Sequence, residues 1–272
     1  METFGARLHA SMRSRGALCV GIDPHASLLA DWGLDDNPDG LERFCLTCVD
    51  ALAGQVAVLK PQSAFFERMG SAGIAVLERV VSEARQAGAL VLLDVKRGDM
   101  GSTMQGYAEA YLEESSPLAV DAITVNPYLG FESLRPALDA AKAHGTGVFV
   151  LALTSNPDGP RFQRAATDHG SVAGAVLAAV RAENAAATRL GSVGAVVGAT
   201  LPTLDEDVDT GGPLLAPGYG VQGGSAGHLR ELFGDAFDRV LPSTSRGVLQ
   251  AGPTVAALRR AARRCLDELT SP

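Results

Sequence analysis

The sequence predicts one domain over residues 1–272, a (β/α)8 TIM barrel of the α/β class with an additional N-terminal helix. Eight short runs are nearly continuous in apolar residues, as parallel strands buried on both faces must be. They alternate with stretches of helical period, an order shared by barrels and open doubly wound sheets. Polar residues and charges collect at one end of most runs, which is where a barrel carries its active site. No composition break, internal repeat or low-complexity tract marks a second domain.

At the amino end, Phe4, Leu8 and Met12 recur at i, i+4 and i+8, with Arg7, Arg13 and Arg15 between them. This is an amphipathic helix that covers one end of the fold. It has neither the apolar stretch nor the cleavage site of a secretory signal. The apolar runs follow at 17–22, 56–59, 89–95, 122–125, 147–153, 192–197, 214–216 and 239–241. Helical patterns occupy 67–87, 131–144, 171–190 and 253–269. The segments after the sixth and seventh runs are short and rich in Gly and Pro, so they are poor helix formers.

Cys45 and Cys48 form a C-x-x-C inside a further helical pattern, Leu41, Phe44, Cys45, Cys48, Val49 and Leu52. No second pair completes a set of metal ligands, so they read as small buried hydrophobes on a helix face. With Cys19 and Cys265 they are the only cysteines in 272 residues, too few for a disulfide scaffold.

The 23 Lys and Arg residues against 31 Asp and Glu leave a net charge of −8. Such a chain repels nucleic acid and anionic membranes, so any phosphate site must be a local cluster of donors for a small ligand. No run approaches the roughly 18 apolar residues of a membrane span, and a cytoplasmic location is expected.

The third run carries the strongest chemical signal. Asp94 and Lys96 are two residues apart and share one strand face, with Cα atoms roughly 7 Å apart. Asp99 follows in the loop, giving carboxylate, ammonium, carboxylate in order. A salt bridge plugging the barrel is the structural alternative to a catalytic array. The last two loops carry the second signal. Gly218, Gly220, Gly223 and Gly224 let backbone N–H groups approach an anion, Gln222 adds an amide, and Arg246 can pair with phosphate bidentately. Phosphate sites in such barrels lie after strands seven and eight.

The motif Asp94-Val95-Lys96-Arg97-Gly98-Asp99 resembles the D-x-K-x-x-D signature of the orotidine 5′-monophosphate decarboxylases. Lys60-Pro61-Gln62, Asn126-Pro127-Tyr128 and Ser243-Thr244-Ser245-Arg246 resemble the longer bacterial branch of that family. The resemblance implies a homodimeric barrel that decarboxylates orotidine 5′-monophosphate to UMP without metal or organic cofactor. It implies that Lys96 protonates C6, and that flanking Asp94 and Asp99 favour the charged lysine. Asp94 would sit against the substrate carboxylate, acting by ground-state strain or by orienting the charges. Asp99 would cross from the partner subunit to the ribose. Asp23 and Lys60 would hold the ribose hydroxyls, Ser155 the pyrimidine edge, and Gln222, Gly223 and Arg246 the phosphate. The segments 156–170 and 218–224 are candidate lids.

Asn126 and Thr103 could line the site, or serve as a turn residue and a helix N-cap. The acidic stretch 203–212 reads as a solvated loop. The rival enzyme is a Mg²⁺-dependent sugar-phosphate decarboxylase or aldolase of the same suprafamily, whose relatives carry a carboxylate ligand where this chain has Lys60. A barrel of the tryptophan- or histidine-biosynthesis type would share the phosphate loops but not the lysine array. The rival from another class is a non-catalytic barrel that only binds nucleotide.

Overall fold

A computed structural model describes residues 2–168, 170–221 and 223–271. Among them, eight parallel strands close into a barrel: β1 Cys19–Ile22, β2 Val58–Pro61, β3 Leu90–Arg97, β4 Ala122–Val125, β5 Gly147–Leu153, β6 Val193–Val197, β7 Leu214–Pro217 and β8 Val240–Thr244. Each strand pairs with the next, and Cys19 opposite Ser243 closes β8 onto β1. The helices Pro38–Leu52, Gly70–Gln86, Gly101–Leu112, Arg135–His144, Val172–Glu183, Ala226–Phe233 and Val255–Thr270 surround it. The capping is local chemistry: Asn37 Oδ1 accepts from the Gly40 N–H at 2.9 Å with Pro38 in the first turn, and Ser171, Ser225 and Thr254 cap three later helices.

The barrel closes over two apolar layers. Outward-facing strand residues such as Val20, Leu59, Val91 and Ile123 pack under the helices. Inward-facing Cys19, Val58, Leu92, Ala122, Phe149, Leu215 and Leu241 form a separate inner cluster with Phe4 and Leu8 of the N-terminal helix Phe4–Arg15. Phe4 meets Phe149 edge-on with ring centroids 6.0 Å apart, and Arg7 pairs with the buried Asp121. The helix thus plugs the N-terminal end, and full burial of Phe4 and Leu8 contributes about 1.5–3 kcal/mol each.

Several element boundaries differ from the sequence reading. β2 and β8 extend through Lys60-Pro61 and Pro242-Ser243-Thr244, because polar side chains that point inward leave the backbone ladder intact. The helix expected over 67–87 breaks before Gly70, which sits at φ 63°, into Ala64–Glu67 and Gly70–Gln86. Gly101–Leu112 is a helix that the sequence reading did not include. No helix follows β6 among the described residues, whereas Ala226–Phe233 follows β7. The acidic stretch after β6 does face solvent, yet it is pinned by arginines: Arg164 to Asp205, Arg181 to Asp207 at 2.6 Å and Arg239 to Asp209 at 2.7 Å. Cys45 and Cys48 are free and fully buried, as small hydrophobes on a helix face. Among the described residues no helix is long and apolar enough to cross a membrane.

Candidate active site

Side chains two apart on a strand share a face, so the residue two beyond each inner apolar residue looks into the C-terminal mouth of the barrel. Beyond Val58 comes Lys60, beyond Leu92 come Asp94 and Lys96, beyond Ala122 comes Thr124, and beyond Leu241 come Ser243 and Ser245. These residues, with Asp23, Gln62, Ser155 and Arg246, line a cavity of about 710 Å³. The apolar layer beneath it seals the floor.

At its centre Asp94 is only 7% exposed and takes an ammonium on each carboxylate oxygen. Lys60 Nζ donates to Oδ2 at 2.9 Å, and Lys96 Nζ to Oδ1 at 2.7 Å. The Thr124 hydroxyl donates to Oδ1 at 2.8 Å. Burial alone would push the Asp94 carboxyl upward, but the two ammoniums outweigh it and hold the group well below the usual carboxylate range. Burial likewise opposes charge on Lys60, yet Asp94 and Asp23 outweigh it and raise the lysine above its ordinary range. The array within one chain is therefore ammonium, carboxylate, ammonium. Asp99 is not its third member. It lies in the loop after β3, where its Oδ1 accepts from the Met100 N–H at 2.8 Å, and it does not line this cavity.

Asp23 accepts a hydrogen bond from Ser245 through Oδ2, while its buried Oδ1 has no donor among the described residues. A Cβ on Gly21 would fall 2.2 Å from Ser245 Oγ, so the missing side chain lets β1 carry Asp23 against β8. Ser155 lies exposed at the end of β5 and Arg246 exposed after β8, both at the cavity wall.

Other expected residues lie elsewhere. Asn126 turns outward because β4 ends before it, and its Oδ1 accepts from the Tyr128 N–H at 3.1 Å, which is the turn role. Thr103 is exposed in the first turn of Gly101–Leu112, whose N-cap is Met100, so it neither lines the cavity nor caps the helix. Gly223 is also outside the lining, and Gln222 lies outside the described residues. The glycine loop does not offer the free N–H groups expected of it. Gly218 and Tyr219 donate to the Ser243 carbonyl, Gly220 to Gly224, Gly223 to Gly220 and Gly224 to Gly218. Its positive-φ glycines let the loop hydrogen-bond to itself.

Sequence reasoning missed Thr124 and Ser245. The signal for Thr124 was present: a lone polar residue within the otherwise apolar β4, two beyond an inward alanine. For Ser245 no local pattern says that β8 closes on β1.

The pattern of the orotidine 5′-phosphate decarboxylase / HUMPS family matches residues 16–261. The orotidine 5′-phosphate decarboxylase of Streptomyces coelicolor is 59% identical over 271 residues, covering 99% of this chain and 98% of its own. That of Salinispora arenicola is 62% identical over 270 residues, covering 98% and 97%. Among solved structures, a Streptomyces avermitilis protein described as a candidate orotidine 5′-phosphate decarboxylase superposes with a TM-score of 0.97 at 60% identity, over 99% of this chain and 95% of its own. Leishmania donovani OMP decarboxylase superposes at 0.78 with 29% identity, over 98% and 97%. On this evidence the chain belongs to the orotidine 5′-phosphate decarboxylase / HUMPS family.

Proposed function

We infer that this protein decarboxylates orotidine 5′-monophosphate to UMP and CO2 in pyrimidine biosynthesis, a reading supported by relatives named orotidine 5′-phosphate decarboxylase. The observation that carries the reading is the buried Asp94 held between Lys60 and Lys96 at the floor of the cavity. The family name also covers enzymes of a second kind, the HUMPS branch. Here the Lys60 ammonium stands where the Mg²⁺-dependent rival would need an oxygen ligand, which disfavours a Mg²⁺-dependent reaction.

The chemistry follows from the array. The bond between C6 and the carboxylate carbon breaks, its electron pair stays at C6, and CO2 leaves. Lys96 Nζ transfers a proton to C6 and is recharged from solvent. The ammonium, fixed beside the developing carbanion, stabilises negative charge before the proton moves. Asp94 sits against the substrate carboxylate and holds both lysines in place. Asp23, with a carboxylate oxygen that lacks a donor among the described residues, accepts from a ribose hydroxyl beside Lys60. Ser155 reads the pyrimidine edge, and Arg246 holds the phosphate, whose remote binding energy serves the transition state.

Asp99 does not line its own cavity, which supports assigning it to the site of a second protomer in a homodimer. Exposed Met100, Tyr128 and Leu129 on the neighbouring loops supply apolar surface for that contact. The chain acts as one catalytic domain in the cytoplasm, and neither metal nor cofactor enters these steps.

The test is the ultraviolet absorbance change of orotidine 5′-monophosphate with purified protein in excess EDTA, beside Lys96→Ala. Conversion that survives EDTA and collapses in the variant is expected. Absence of turnover by folded wild-type protein would sink the reading.

A further inference from the structure

We propose that Thr124 is a positioning residue that locks the proton-donating lysine onto Asp94, an inference that rests on the decarboxylase reading above. Lys96 is the one non-glycine residue with positive φ among the described residues, at 46°. That conformation is strained for an L-residue with a long side chain and persists only where its surroundings enforce it. It coincides with a break in the β3–β4 ladder. Leu93 pairs with Ile123 and Arg97 with Val125, so three residues of β3 lie opposite one of β4, and Lys96 has no register partner on that strand.

Thr124, the residue opposite the break, supplies the missing acceptor from its side chain. The Lys96 N–H donates to Thr124 Oγ1 at 2.9 Å, and the same hydroxyl donates to Asp94 Oδ1 at 2.8 Å. Both directions are forced, since an N–H can only donate and an ionised carboxylate can only accept. Lys96 Nζ then returns to the same Oδ1 at 2.7 Å. The hydroxyl of Thr124, a residue only 1% exposed, therefore ties the backbone of Lys96 to the carboxylate that holds its ammonium. The ladder resumes immediately, with the Asn126 N–H donating to the Arg97 carbonyl at 2.7 Å. A valine has the shape of threonine but neither bond, so Thr124→Val releases the strained turn and leaves Asp94 Oδ1 with the ammonium alone.

The Thr124 hydroxyl is engaged by the Lys96 N–H and Asp94, so its loss should appear in kcat and not in ligand affinity. Three measurements on the full chain test this: kcat and KM, the affinity for UMP, which lacks the departing carboxylate, and the crystal structures of Thr124→Val and Thr124→Ser. The expected result is a kcat about 100-fold lower in Thr124→Val, the scale of a catalytic group misplaced by an ångström, with UMP affinity within about twofold of wild type. Lys96 should leave the positive-φ region in that structure. Thr124→Ser, which keeps the hydroxyl, should restore both the geometry and most of kcat. A Thr124→Val protein that keeps φ near its present value and wild-type kcat overturns the proposal, as does a serine variant no better than valine. If wild-type protein proves inactive, the crystal structures still decide whether Thr124 holds Lys96, and only the decarboxylase reading falls.

Discussion

Lys60 reaches from β2 to donate to Asp94 on β3 at 2.9 Å, and both residues are at least 93% shielded from solvent. Two buried charges joined this way depend on each other, because neither can fall back on water. Breaking such a pair costs about 3–5 kcal/mol through the charge left behind. Here Lys96 remains beside Asp94 when Lys60 is removed, so the lower half of that range applies. Lys60→Met should lower the urea-unfolding free energy by about 3–4 kcal/mol. It should also cut turnover at temperatures where the variant stays folded, since Asp94 would no longer be held from both sides. Unchanged stability would show that Lys60 is not charged in the folded protein.

The pH dependence of stability has a defined shape. Asp94 is held well below the usual carboxylate range. Its contribution is therefore complete above the unfolded value of about 3.9 and is lost as the pH falls through the lower folded value. Lys60 is raised, so its contribution is complete below the unfolded value of about 10.4 and is lost as the pH rises through the higher folded value. The difference in unfolding free energy between wild type and Asp94→Asn should be flat from about pH 5 to 9 and shrink below about pH 4. A difference that varies steeply near neutrality would contradict this charge assignment.

The three buried thiols, Cys19, Cys45 and Cys48, should be silent. Burial pushes Cys19 up to about 12 and holds Cys45 and Cys48 well above the ordinary thiol range, while Cys265 is half-buried and raised by the same cause. A thiol kept protonated is neither a nucleophile nor a metal ligand. An aromatic disulfide reagent at pH 8 should label Cys265 alone in the native protein and all four cysteines after denaturation. Rapid native labelling of Cys45 or Cys48 would revive the redox reading of the C-x-x-C.

The N-terminal plug should matter to stability and not to chemistry. Arg7 pairs with Asp121 Oδ1 and donates to the Gly145 carbonyl at 3.0 Å, while Asp121 Oδ2 accepts from the Val91 N–H. Arg7→Ala should cost about 1–3 kcal/mol, because it leaves a buried carboxylate oxygen without its donor. Thermal melts would show the loss, while kcat measured well below the melt should match wild type. A large fall in kcat would mean that the plug communicates with the opposite end of the barrel.

Much of this molecule was legible in its residues. The apolar runs at 122–125 and 147–153 match β4 and β5, and the spacing of Phe4 and Leu8 places a helix that buries both. Strand geometry alone puts Asp94 and Lys96 on one face. The ends of β2 and β8 were misjudged because Lys60, Ser243 and Thr244 read as loop chemistry, although they remain within the ladder. Thr103 and Asn126 were uncertain for a related reason. Their placement depends on where β4 stops and which residue caps the next helix, and neither is encoded in residue type alone.

By itself, the sequence determined the order of the strands and several of the helices, the apolar layers and the presence of a charged motif at a strand end. These follow from local periodicity, which acts over a few neighbouring residues. Only the tertiary structure decided who meets whom. Closing β8 on β1 brings Ser245 to Asp23 across 222 positions, and pairing β2 with β3 brings Lys60 to Asp94 across 34. The β3–β4 break gives Lys96 its conformation and Thr124 its role. Such contacts depend on register and closure of the whole barrel, which no local pattern specifies.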